Sequence, residues 1–482
     1  MKRTIITAFI IHCSLFIYGQ QDSLNEYLKT AGENNPAVRA AFHEYEAALQ
    51  KTTQAGAYQD PQLDMGFFLQ PMELIDGRQV ADFKLMQMFP WFGTRKAART
   101  EAQHSAQMAF EQFRETRDQL FLDIYTEWFT LCRLQQQLIN NRENKELLKQ
   151  LEALALQKFS TGGAVPGSQV GSSKSGMSAE TDNSTANSMQ GMNMRQNTSQ
   201  SVSSNQAQSN EMLMSNTGAT SSGMSGVLRI QMEIAELENS IESVLSEIIA
   251  EKVKFNALLN RPAESEIAVP DTFRQVDFLF DINSVMQQIA NRNPMLGMWK
   301  EEERMYKAKA VMDSKMSYPM FGIGLQYMLI NKSKPASMDM NGNTSDISSM
   351  NGKDMFMPMV SISIPVYRGK YKAQQRESAL LQQASRDKQT NTLNMLEAEL
   401  YRSKHNLDDA ARKISLYQKQ KELAQSAYNL TVQEFATGKG DLTNVIQEQR
   451  QLLDYELKTA EVTAVYNTMV ANIQKLISSK ND

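Results

Sequence analysis

The stretch Val360-Ser361-Ile362-Ser363-Ile364-Pro365-Val366-Tyr367-Arg368-Gly369-Lys370, with the run that follows it, decides the fold. Val360, Ile362 and Ile364 alternate with Ser361 and Ser363, which gives a strand with one apolar and one polar face, placed over about 356–365. Val366 to Lys370 reads as a turn. From Tyr371 to Phe435 there is no proline and no glycine. Leu393, Leu400, Leu407 and Ile414 recur every seven residues, with Leu396, Ala410 and Tyr417 in the second seam. A helix over 371–435 would be ~100 Å long at 1.5 Å per residue. It stops at Phe435-Ala436-Thr437-Gly438-Lys439-Gly440-Asp441-Leu442, where two glycines permit a reversal. A return helix over 441–478 follows, with Val445, Leu452, Tyr466 and Ile473 along one seam.

The first half of the chain repeats this pattern. Phe89-Pro90-Trp91-Phe92-Gly93-Thr94-Arg95-Lys96 precedes a helix over 95–159, which carries Phe113, Leu120, Ile124, Leu131, Leu134 and Leu138. That helix ends at Lys158-Phe159-Ser160-Thr161-Gly162-Gly163, the counterpart of Glu434-Phe435-Ala436-Thr437-Gly438-Lys439. Asn34-Asn35-Pro36 is mirrored by Arg292-Asn293-Pro294. Pro90 to Phe159 spans 69 residues and Pro365 to Phe435 spans 70, so the long helix repeats almost without an indel. The period points to a tandem duplication. The repeats are 21–260 and 282–482, joined by a linker over 261–281 with prolines at 262 and 270.

On these features the chain resembles the TolC-type outer-membrane factors, the outer membrane efflux protein family, and is closest in character to the heavy-metal (copper and silver) members. The resemblance covers nearly the whole chain beyond the first 20 residues. It rests on the duplicated Asn-Pro starts, the Phe-Pro-Trp-Phe-Gly segment and the paired Phe-x-x-Gly reversals. It implies a mainly α fold with a β-barrel, in a homotrimer. Four strands from each chain would make one 12-stranded barrel in the outer membrane, and the long helices would continue it as a periplasmic tunnel. It implies no enzyme activity. The implied partners are a periplasmic adaptor (membrane fusion) protein and an inner-membrane pump of the resistance-nodulation-division type.

Composition agrees. A net charge of −4 over 482 residues offers no basic excess for nucleic acid. Met1-Lys2-Arg3 and the largely apolar run to Tyr18 read as a signal peptide over 1–20. The remaining cysteine, Cys132, lies within a long helix and reads as a small buried side chain. After the signal no apolar run of about 18 residues occurs, so a membrane-spanning form would have to be a barrel.

Strands are expected over 61–89 and 319–330. Leu63, Met65, Phe67 and Leu69 alternate with Gln62, Asp64, Gly66 and Gln70; Phe83 and Leu85 with Asp82 and Lys84; Phe321, Ile323, Leu325, Tyr327 and Leu329 with Gly322, Gly324, Gln326 and Met328. An ordinary sheet with one buried face gives the same alternation. Two hairpins framed by ~100 Å helices favour the barrel, because no domain core is left to cover them. Four strands cannot close a barrel, so several chains must contribute.

Two insertions break the symmetry. A stretch of Ser, Asn, Gln, Gly and Met over 164–226, about 58 residues longer than its counterpart in the second repeat, separates the first long helix from its return helix at 227–259 and is expected to be disordered. A second, over 331–354, joins the last two strands. Both are rich in methionine: Met189, Met192, Met194, Met212 and Met214 in the first, Met338 and Met340 in the second, which runs into Met355 and Met357. Thioethers select soft monovalent ions, Cu(I) and likewise Ag(I), and a flexible chain can bind them transiently. The other reading is compositional drift in an unconstrained linker. Met86, Met88 and Met320 lie within strands and read as packing residues. The four histidines are scattered, and no Cys or His pair is spaced for zinc.

No catalytic constellation is present, and a passive duct needs none. The resemblance assigns adaptor contact to the turns at Thr161, Gly162 and Gly163 and at Thr437, Gly438, Asp441 and Leu442. It puts the tunnel entrance at Asn444, Gln447 and Glu448, where some relatives carry an acidic ring that Asn444 and Gln447 do not supply. The expected function is a passive efflux duct for monovalent copper or silver. A general drug or small-molecule duct and a structural coiled-coil surface protein are the alternatives.

Overall fold

The computed structural model describes residues 19–74, 77–162, 222–332 and 352–478. The helices are α1 (Gly19–Asn34), α2 (Pro36–Ala55), α3 (Thr94–Gly162), α4 (Ser222–Leu258), α5 (Ile282–Arg292), α6 (Pro294–Met316), α7 (Arg368–Ala436) and α8 (Leu442–Ile477). The strands are β1 (Gln62–Leu74), β2 (Gly77–Phe89), β3 (Met320–Asn331) and β4 (Met355–Ser363). They form one antiparallel sheet in the order β1-β2-β3-β4. Each repeat is thus helix, helix, hairpin, long helix and return helix. The signal segment lies outside the described residues for 1–18, as do 163–221 and 333–351 of the two insertions.

The long helices match their expected spans closely. α3 and α7 each run 69 residues, about 100 Å. The seam residues Leu120, Ile124, Leu131, Leu134 and Leu138 of α3 are buried, as are Leu396, Leu400, Leu407, Ala410 and Ile414 of α7. α7 begins at Arg368 rather than Tyr371, because Gly369 and Lys370 are taken into its first turn. α4 begins at Ser222, so residues 222–226 are helical rather than part of a disordered insertion. The reason is packing: Gly226 lies against Leu442, where a Cβ would sit 2.7 Å from Leu442 Cδ2. Cys132 is buried, and burial pushes its thiol up to about 12.

The helices form an arc. Along one half of the long helices the neighbours run α2, α3, α6, α7; along the other half they run α4, α3, α8, α7. Where the halves meet, α1, α5 and the 261–281 linker pack around two apolar clusters. One is built on Ile124, Trp128, Leu131 and Phe255, the other on Ile289, Leu400, Val470 and Ile473.

The duplicated Asn-Pro pairs hold this middle together. Asn35 Oδ1 accepts from the backbone N–H of Ala37 (2.9 Å) and Val38 (3.4 Å), capping α2, and its Nδ2 donates to the Leu258 carbonyl (2.8 Å). Asn293 accepts from Met295 (3.0 Å) and Leu296 (3.4 Å), and donates to the Leu476 carbonyl (3.0 Å). Proline follows each asparagine, at the first helical position that tolerates it. The return helices that receive these bonds both end in a left-handed residue, Asn260 (φ 53°) and Ser478 (φ 50°).

Candidate functional site

The sheet sorts its side chains by register. Leu63 pairs with Leu85, Met65 with Phe83, Phe83 with Tyr327, Leu85 with Leu325 and Ile323 with Val360, so one face is predominantly apolar, with Gln87 opposite Ile323 at its helix-side end. This face is uncovered: Phe67, Leu69, Ile323, Phe356, Val360 and Ile362 are all exposed, Val360 at 76%. A patch of that extent is stable only against lipid or a partner. The opposite face pairs Asp64 with Lys84, Asp82 with Gln326 and Gly322 with Ser361, and Gln326 Nε2 donates to Asp82 Oδ1 (2.6 Å). The alternation expected from the sequence is therefore realised in all four strands. β1 and β4 each lack a second strand partner among the described residues, which leaves both edges open.

Methionine is concentrated on the polar face. Met86 and Met88 of β2 and Met320 and Met328 of β3 lie there. Met355, Met357 and Met359 of β4 share the same face. Met65 of β1 lies on the apolar face. Met86, Met88 and Met320, which the sequence places in strands as packing residues, are half-buried on this face. Their alternation with Leu85, Gln87 and Phe321 is the signal that places them with the polar residues. Of the other candidate metal ligands, Met189, Met192, Met194, Met212, Met214, Met338 and Met340 lie outside the described residues.

Where strands give way to helices, the two repeats carry matching aromatic side chains. Phe92 is 81% exposed and Tyr367 85%. Trp91 stacks on Tyr318 (5.1 Å) and Phe321 (5.8 Å), and the Arg95 guanidinium lies 3.3 Å over the Tyr58 ring. Amphipathic rings flanked by cations suit the boundary between hydrocarbon and water. Among the described residues no helix is long and apolar enough to cross a membrane.

At the far end the helix reversals meet. α7 closes with Gly438 at φ 81°. Gly438 N–H donates to the Phe435 carbonyl (3.1 Å) and Lys439 N–H to the Glu434 carbonyl (2.9 Å), the paired bonds of a Schellman motif. Thr437 is the C-cap and Asp441 the N-cap of α8, and Leu442 is buried. Lys158 Nζ donates to the Phe435 carbonyl (2.5 Å) and lies 4.2 Å over the Phe435 ring, tying the first reversal to the second. Leu148, Leu151, Val227, Ile230, Phe435, Val445 and Ile446 form one apolar cluster there. Thr161 and Gly162 are the last residues of α3, and Gly163 lies outside the described residues. Asn444 and Gln447 are exposed and Glu448 is half-buried, one turn into α8.

Between tip and middle lies a buried polar layer that the sequence reading did not single out. Gln449 Nε2 donates to Asn144 Oδ1 (2.9 Å), and Asn144 Nδ2 donates to Glu456 Oε2 (3.0 Å). Glu456 pairs with Lys421 (3.0 Å), and Arg450 with Glu233. Asn144 and Gln449 are almost wholly buried. Such layers fix register in long helical packings at some cost in stability.

Residues 285–479, the bulk of the second repeat, match the family model for outer membrane efflux proteins. No curated protein matches the sequence. Solved structures match over almost the full chain. The outer membrane protein VceC of Vibrio cholerae superposes with a TM-score of 0.66 at 12% identity, over 95% of this chain and 97% of that one. The chain shares the fold of that outer membrane protein. CusC, solved in the context of transmembrane channel formation, gives 0.66 at 13% identity over 95% and 92% of the two chains. The CmeC outer membrane channel of Campylobacter jejuni gives 0.65 at 11% over 95% and 85%.

Proposed function

We infer that three copies of this chain form an outer-membrane duct that carries cargo passively from a periplasmic adaptor to the exterior, as part of a tripartite efflux system. The observation that carries this reading is that sheet and helices end on the same two edges. β1, α2 and α4 form one edge of the chain; β4 and α7 form the other. Both edges present apolar stripes: Leu228, Met232 and Ile249 on α4, and Leu416, Leu423 and Leu430 on α7, all exposed. A head-to-tail contact between unlike edges closes a ring when the rotation allows. Such a ring would bury both helical stripes and pair both strand edges at once, leaving the sheet's apolar face to lipid. Three copies give twelve strands, which leaves a lumen where eight would be filled by side chains.

The reversals at Gly162 and Gly438 form the adaptor end, and the pump supplies the energy for what is itself a passive duct. The pump is of the resistance-nodulation-division type, as the family resemblance implies. For cargo we favour monovalent copper or silver, on the thioethers of the Met-rich segments and of the sheet's polar face.

The test is the tolerance of cells lacking the protein, complemented with the full chain or with a chain lacking residues 167–221. Sensitisation to copper and silver, rescued by the full chain, supports the metal reading. Failure of the deletion to rescue would assign the hand-over to the Met-rich segment. Sensitisation to detergents or drugs with unchanged metal tolerance would overturn the metal reading and leave a general efflux duct.

A further inference from the structure

Three methionine side chains converge on the polar face of the sheet, over a floor kept open by glycine. Ser361 Oγ of β4 lies 3.5 Å from Met86 Sδ and 3.6 Å from Met88 Sδ, so two thioethers of β2 gather around one hydroxyl of β4. They reach it across β3, because the β3 residues between them are Gly322 and Gly324. A Cβ on Gly322 would lie 2.6 Å from Met88 Sδ and collide with Ser361 Oγ. A Cβ on Gly324 would lie 3.4 Å from Met86 Cε and 3.6 Å from Met359 Cε. The two glycines therefore remove the side chains that would keep β2 and β4 apart, and Met86, Met88 and Met359 fill the space.

Apolar packing alone accounts poorly for this arrangement. The face that carries it also carries Asp82, Lys84 and Gln326, while Leu85, Phe83, Leu325, Tyr327, Val360 and Ile362 point the other way. In a barrel whose apolar face meets lipid, this face lines the lumen. A thioether set on a water-filled wall buries little apolar area, whereas it supplies soft, uncharged sulfur that needs no deprotonation to bind a metal. The methyl-bearing chains are long and unbranched, so three sulfurs can turn toward one centre without moving the backbone. Among the described residues no group of three His, Cys, Asp or Glu side chains could compete as a ligand set.

We propose that Met86, Met88 and Met359 form a luminal binding site for a monovalent soft cation, Cu(I) or Ag(I), with Gly322 and Gly324 providing the room and Ser361 orienting the sulfurs. The site deepens the metal-efflux reading and rests on it. Binding involves no change of oxidation state: three thioether lone pairs replace the ion's water or its previous ligands. One such site per chain would give the lumen a ring of three, a stepping place beyond the tip rather than a trap.

Silver nitrate titrated into the full-length purified protein tests this, since Ag(I) stays monovalent without a reductant. Bound silver is counted by mass spectrometry after dialysis, for the wild type and for the Met86→Ile/Met88→Ile/Met359→Ile variant, which keeps every other methionine. One silver fewer per chain in the variant is the expected result; equal binding overturns the site. Should the triple variant fail to assemble, the wild type still decides. Its methionine methyl carbons, labelled with 13C and assigned through single Met→Leu variants, must shift at 86, 88 and 359 on addition of silver. Unmoved resonances at those positions would refute the site. Loss of silver binding in vitro with normal metal tolerance in cells would instead place the failure in the efflux reading, not in the site.

Discussion

Asn35 and Asn293 each perform two tasks with one amide: the oxygen caps the helix that follows, and the nitrogen holds the end of a return helix. Replacement by alanine removes both and leaves the Leu258 or Leu476 carbonyl without its donor, a cost of about 2 kcal/mol at each site. Asn35→Asp keeps the cap and loses the donor, so its unfolding temperature should fall between those of the wild type and Asn35→Ala. Glu127 offers a second test. Burial, then a hydrogen bond with Glu251, raises its carboxyl to about 7 from an ordinary 4.5. Glu251 is held low: burial raises it, but hydrogen bonds from Lys254 and Glu127 outweigh that. The folded chain keeps the Glu127 proton that the unfolded chain has lost. Stability from Glu127 is therefore complete below about pH 4.5 and fades as pH rises through about 7, whereas Glu251, held low, contributes stability that is present above about pH 4.5 and lost as pH falls below it. Glu127→Gln should abolish the Glu127 slope and raise stability at pH 8 by roughly 1 kcal/mol after solvent screening, read by thermal unfolding at pH 5 and pH 8. The Asn-Pro pairs were legible in the sequence as a repeat. Their second bond was not, because its partner lies 223 or 183 residues away.

At the scale of elements, the heptads and the absence of proline and glycine fix α3 and α7, and the alternation fixes which face of each strand is apolar. Both signals are local and periodic, so both could be read directly. What escaped was any feature set by pairing between elements. The cluster over Gly322 needs the register of three strands before Met86, Met88 and Met359 can be seen as neighbours. The Asn144–Gln449–Glu456 layer joins residues more than 300 positions apart. The tip is intermediate: the glycine marks the reversal, but its link to Lys158 requires the fold. Because Gly438 sits at φ 81°, Gly438→Val should strain the turn by about 1–2 kcal/mol and speed proteolytic nicking between α7 and α8. Gly369 sits in the first turn of α7 with open space around its Cα, so Gly369→Ala should leave both stability and nicking near wild type.

At the scale of the whole molecule, a single chain is incomplete. Among the described residues its sheet has two open edges and a bare apolar face, and its helical arc ends in two bare stripes. The ring proposed above would answer all of these together, and it would make the stripe on α7 an interface. Leu423→Glu with Leu430→Glu would bury a carboxylate pair there, at a cost of several kcal/mol, and should block assembly while leaving the buried seam of α7 intact. The most direct measurement is the mass of the protein extracted from membranes in mild detergent, by light scattering with the detergent contribution subtracted. The account predicts three times the mass of one chain for the wild type, falling to one for the double glutamate variant. A wild-type protein that is monomeric, or dimeric with eight strands, would contradict it.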